Sequence, residues 1–211
     1  RSQQNKMSRL STLSPAALRA MFSQDSDATL ISLLTLTGAG IATPVRLSDG
    51  YTHRFEWLSE SAMKWTNLDT GASSAYIYLS ADAATKDAVN SDPANPCYGV
   101  ISAGVPYIFI PFNLTLPTEE QASAPRCNVT IHDATRLMTP VIRQISVAPT
   151  VGIKLVLSKT PDITEATFPG FKMGAITYNS DTIAAELTVE SLAIEPFPAH
   201  VFTPSYFPGL F

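Results

Sequence analysis

The chain has 211 residues, 45% hydrophobic and only 15% charged, against roughly 25% charged in ordinary soluble domains. A formal charge of −4, with fourteen Lys and Arg residues scattered and no basic stripe, argues against direct sequence-specific binding of nucleic acid. The length fits one domain, or one domain carrying a sizeable insertion, and a surface this poor in charge points to one covered by partners.

In chain order, Ser14 is an N-cap candidate with Pro15 at the first helical position, which predicts a short amphipathic helix over 13–22. The β-forming, leucine-rich run 28–37 ends on Gly38 and Gly40 and reads as a buried strand. In 43–50, Val45 and Leu47 alternate with Arg46 and Ser48 before a turn signal, which predicts the next strand.

From 51 to 103 the texture changes. Both tryptophans fall here, with strand-like pieces such as AYIYLS and a polar, proline-bearing stretch, KDAVNSDPANPCYG, read as a loop; the block is expected to be an inserted subdomain. Strand patterning returns at 105–117, 127–134, 151–158, 171–179 and 182–192, with a helical turn expected at Thr139–Pro140. Pro106, Pro111 and Pro117 confine 105–117 to an edge or to bulges, and a long edge strand is a docking site. The expected fold is therefore mainly β, an antiparallel sandwich or barrel-like core with one or two short helices. Residues 1–50 and 104–194 would build that core, 51–103 the insert and 195–211 an extended C-terminal arm.

The arm, EPFPAHVFTPSYFPGLF, interleaves four prolines with five aromatic residues. Proline at that density forbids a helix or a central strand, yet the segment is too apolar for a solvated tail. It is expected to lie on a protein surface across a subunit boundary, with Phe197, Phe202, Pro204, Tyr206, Phe207, Pro208 and Phe211 as its interface residues.

No catalytic, metal-binding or cofactor-binding set is expected. His53, His132 and His200 fall in separate segments, and neither HExxH nor GxSxG occurs. His132 and Asp133 would form a nucleophilic site only if the fold brought Cys97 or Cys127 to them. Cys97 and Cys127 show no metal spacing and read as free thiols, a single disulfide being the alternative. Asp25 with Asp27, or Asp162 with Glu165, are too few carboxylates for a calcium loop and read as turn formers. Trp57, Trp65, Tyr76 and Tyr78 form either an aromatic platform or the filling of the insert's core. No apolar run reaches eighteen residues and no apolar leader is seen, so neither a membrane anchor nor an export signal is expected; Met7 is a candidate start.

The succession SPAALRAMFSQ, a leucine-rich strand, PVRLSDG, GVPYIFIPFNLTLP, a strand ending HDATR, VGIKLVLSKTPDITE and finally FTPSYFPGLF resembles a bacteriophage minor tail protein family of the DUF1833 type. The resemblance covers most of the chain outside 51–103. It implies a virion component of the tail tip, made in the host bacterial cytoplasm and similar in logic to ring-forming distal tail proteins. Its implied partners are further copies of itself and the tail tube, tape measure and hub or tip proteins. In such a setting the triplets Asn113-Leu-Thr and Asn128-Val-Thr are not glycosylation sites. A binding module that contacts a receptor-binding protein or a host glycan is the alternative from another class, and a cell-wall hydrolase a third.

Overall fold

A computed structural model of the chain describes residues 13–23, 27–115, 126–132, 138–145, 147–179 and 181–189. In chain order they form α1 (Pro15–Phe22), β1 (Leu30–Thr37), β2 (Val45–Ser48), β3 (His53–Ser59), β4 (Ala62–Asn67), β5 (Ser73–Ile77) and a 3-10 turn at Ser80–Asp82. Then follow α2 (Ala83–Ser91), β6 (Cys97–Ser102), β7 (Val105–Phe109), β8 (Phe112–Leu114), β9 (Arg126–His132), α3 (Met138–Gln144), β10 (Thr150–Leu157), β11 (Thr160–Tyr178) and β12 (Thr182–Val189). The fold is mainly β, with three short helices among the described residues.

All twelve strands belong to one sheet, in the order β5-β4-β3-β6-β7-β2-β1-β10-β11-β12-β9-β8. Neighbours run antiparallel except β2 and β7, which are parallel. The two ends of that order are not equivalent. β8 follows β7 after only Ile110 and Pro111, and the backbone hands over from one neighbour to the other at this point. The Ile110 N–H donates to the Ser48 carbonyl at 3.1 Å, and the His132 N–H donates to the Pro111 carbonyl at 2.8 Å. β7 and β8 are thus one strand, bent at a residue that has no N–H to lose, and they close the sheet from β2 round to β9 into a barrel.

Side-chain alternation explains the interior. Ile108, Ile110 and Phe112 keep a period of two straight through the bend and face the same core as Leu34 and Leu36 of β1, Val45 and Leu47 of β2, and Val129 and Ile131 of β9. Each such side chain, fully buried, contributes about 1.5–3 kcal/mol. β1 is apolar on both faces: Ile31 and Leu33 turn outward onto Val100, Tyr107 and Val156. Its leucine-rich sequence therefore reflects a strand covered on two sides.

Outside the barrel the sheet continues from β7 through β6, β3 and β4 to β5, so most of 51–103 is an extension of the same sheet. This extension has a small core of Phe55, Met63 and Val89, packed by Trp65, Tyr76, Tyr78, Cys97 and Ile101. At Gly99 any Cβ would stand 2.5 Å from the Phe55 ring and run into the Tyr107 carbonyl, so the close approach of β6 to its neighbours requires glycine.

Four local outcomes differ from the sequence expectation. β7 lies between β6 and β2 rather than at an edge, and Pro111 sits where pairing passes from β2 to β9. β8 pairs with β9 alone at the end of the strand order, and Pro117 lies outside the described residues. Residues 86–91, read as loop, form the second half of α2, where Ala88 and Val89 supply a buried face that polar neighbours conceal. β11 begins at Thr160 and absorbs Pro161 and Gly170 through register shifts along its pairing with β10. Helix α3 starts at Met138, so Pro140 occupies its third position, still within the first turn where no N–H partner is needed.

Candidate functional site

The seven interface residues expected from sequence, Phe197, Phe202, Pro204, Tyr206, Phe207, Pro208 and Phe211, lie outside the described residues, as do Asp25, Asp133 and His200. The remaining candidates are placed, and the fold keeps them apart.

Cys127 faces the barrel core at 3% exposure, and burial pushes its thiol up to about 11. His132, five positions later on β9, falls on the opposite face, exposed, with Nε2 3.4 Å from Asn113 Nδ2. Alternation within a single strand thus separates the thiol from the imidazole. Cys97 sits in the core of the extension and donates to the Ala88 carbonyl at 3.4 Å; burial first, then the charge of Asp92, raises its pKa. Both cysteines are free, and neither environment favours a thiolate.

Of the carboxylates, Glu165 is buried and accepts twice from Ser14, from the N–H to Oε2 and from Oγ to Oε1, each at 2.9 Å. Ser14 Oγ in turn accepts from the Ala17 N–H at 3.1 Å, so Glu165 holds the N-cap of α1 against β11. Asp162 accepts from the Ala103 N–H at 2.7 Å and ties the β6–β7 turn to the same strand. Among the described residues no three His, Cys, Asp or Glu side chains converge to hold a metal ion.

The four aromatic residues do not make one platform. Trp65, Tyr76 and Tyr78 pack into the core of the extension, and burial raises both tyrosines to about 12, with a hydrogen bond to Asp82 adding to the effect at Tyr76. Trp57 alone stays half-exposed. It borders an open groove of about 340 Å³ with Glu60, Lys86, Asn90 and Pro93. Asn90 Oδ1 is buried without a partner among the described residues. A second cleft, of about 170 Å³, opens where the 38–44 loop, α2 and Met138 meet the barrel; its lining is apolar but for Thr43 and Asp87.

Two features escaped the sequence reading, and a third was read only in part. Arg46 reaches from β2 to Asp82 at 2.6 Å, with their side chains 15% and 1% exposed, and also donates to the Ala81 carbonyl. Asp82 accepts further from the Tyr76 hydroxyl at 2.9 Å and the Leu79 N–H at 2.7 Å, so one carboxylate pins the extension to the barrel. Tyr51 lies 5.2 Å from Tyr98 and 5.1 Å from Phe109, ring centre to ring centre, in a partly exposed aromatic cluster. Finally, β5 is the outermost strand, its residues exposed apart from the half-buried Tyr76. Its second half falls in AYIYLS, read as strand-like, but nothing in the sequence marked it as the end of the sheet.

What this arrangement presents most plainly is surface for docking: a strand edge unpaired among the described residues, exposed aromatic rings and one groove with polar walls. Compared with protein-family models and with curated proteins, the sequence matches none.

Proposed function

We propose that the chain is a structural subunit of a bacteriophage tail tip, a ring-forming distal tail or baseplate component that joins the tail tube to the tip complex. The observation that carries this reading is the paired motif SPAALRAMF near the start and FTPSYFPGLF at the end, with the intervening order of segments that resembles minor tail proteins. A closed barrel supports it as a rigid body, and the strands built outward from β7 supply a surface for neighbours. The partners are further copies of the chain and the tube, tape measure and hub or tip proteins; the site of action is the virion. No cofactor enters this role.

Gold-labelled antibody against the subunit, viewed on intact particles by electron microscopy, tests the proposal. Label is expected at the tail tip. Complete particles that carry no label there, or carry it on the head, refute it.

A second reading is favoured by one observation, the groove beside Trp57. An indole ring flanked by Glu60, Lys86 and Asn90 has the elements of a sugar-binding surface, with a stacking face and hydrogen-bonding walls. On this reading Trp57→Ala leaves tails assembled but abolishes adsorption to the host.

A further inference from the structure

Among the described residues nothing pairs with the outer edge of β5, and the edge carries neither the charges, the prolines nor the bulge that normally keep exposed strands from pairing. No charged residue and no proline occurs from 70 to 81, and the pairing of β5 with β4 runs without a register shift, so no bulge twists the edge away. The direction of its backbone groups follows from two bonds: the Tyr78 N–H donates to the Ser61 carbonyl at 3.0 Å, and the Asn67 N–H donates to the Ala72 carbonyl at 2.7 Å. Even-numbered residues therefore face β4. Ser73, Ala75 and Ile77 turn their N–H and C=O groups to the open side, where no strand partners them among the described residues. Ile77 and Leu79, 73% and 65% exposed, add apolar surface along that edge.

The segment that fits this edge is in the chain itself. Pro196, Pro198, Pro204 and Pro208 all fall on even positions. In an extended strand, residues of one parity direct both backbone groups to the same side, so an arm laid along an edge by its odd residues loses no hydrogen bond to any of the four prolines. The odd positions from Phe197 to Gly209 all carry an N–H. In such an arrangement the prolines would face outward and stop a further strand from adding. The match extends to charge, since 196–210 contains no Asp, Glu, Lys or Arg to set against the uncharged edge.

We infer that the edge of β5 receives the proline-aromatic segment 196–209 of a neighbouring copy, which adds as an extra strand. This rests on the reading of the chain as a self-assembling subunit and gives that assembly its joint. Main-chain bonds supply affinity, while Phe197, Val201 and Phe207 of the arm supply side-chain contacts on one face. The donor is assigned to a neighbouring copy because the arm is read as crossing a subunit boundary, and disulfides between separate chains distinguish this from pairing within one chain.

The test mixes two full-length proteins, one with Ala75→Cys and one with a single cysteine placed in turn at 199, 201, 203 or 205, under mild oxidation. Paired strands bring Cα atoms within disulfide reach, so a mixed dimer is expected, strongest at one odd position. Adding Val201→Pro to the donor should lower its yield about tenfold, whereas His200→Pro, on the parity of the existing prolines, should leave it within about twofold. No mixed dimer at any position, or equal loss from both proline variants, overturns the inference, as does a disulfide found only within a single chain carrying both cysteines. A mixed dimer in a protein that fails to label the tail tip would sink the tail reading and leave the pairing intact.

Discussion

Replacing Arg46 by alanine should unhook the outer strands from the barrel. The guanidinium lies 2.6 Å from Asp82, a carboxylate whose side chain is 1% exposed and whose other contacts are neutral donors, the Tyr76 hydroxyl and the Leu79 N–H. Removing one member of a buried pair leaves an uncompensated charge and costs about 3–5 kcal/mol. With a urea m-value of about 2 kcal/mol/M, that is a midpoint shift of about 1.5–2.5 M. The two tryptophans, Trp57 and Trp65, lie on β3 and β4, so their fluorescence reports the extension alone, while far-ultraviolet circular dichroism reports the whole sheet. In the unaltered protein the two curves are expected to coincide. In Arg46→Ala the fluorescence transition should move first and furthest, and Arg46→Ala/Asp82→Ala should recover part of the loss. A midpoint unchanged to within about 0.3 M, or a double variant as unstable as the sum of the single ones, would show that the pair does not clamp the extension.

Glu165→Ala should release the N-terminus of α1 at a cost of about 1–3 kcal/mol, seen as rapid tryptic cleavage after Arg19; unaltered cleavage counts against the anchoring role. For His53, burial lowers the pKa from 6.5 while the charge of Asp162 pulls the other way. The native state therefore favours the neutral ring, whose Nδ1 accepts from the Ile101 N–H at 3.4 Å. Its stabilising effect is complete above pH 6.5 and is lost as the pH falls from there towards the lowered value. His53→Gln should flatten the acid limb of stability against pH, and a limb of unchanged steepness would refute this.

Local chemistry was legible wherever one residue type has one physical use. Ser14 and Pro15 marked the start of α1 because a hydroxyl cap and a donor-free first turn have few other homes. The leucine run of β1 and the alternation in β2 gave strands for similar reasons. Long-range pairing was illegible. Nothing local tells that Pro111 sits at a change of neighbours rather than at an edge, since both situations excuse a missing donor. The early half of β11 was hidden because Pro161 and Gly170 are turn residues in isolation and become bulges only when β10 holds them. Of the candidate site, the interface residues 197–211 lie beyond the described part, and the clamp of Arg46 on Asp82 needed two segments that only the fold brings together.

The barrel closure also dictates when the protein can begin to hold its shape. Leu30 pairs with Leu157, and the bent strand through Pro111 needs β9 before its second half has a neighbour. On the ribosome, β1 and β2 emerge early but wait for most of the chain before the interior can shut. Folding dominated by such distant pairings is slow, and the leucine-rich β1 stays uncovered meanwhile. Yield of soluble protein should therefore depend on elongation speed and chaperone supply more than on the stability of the finished barrel.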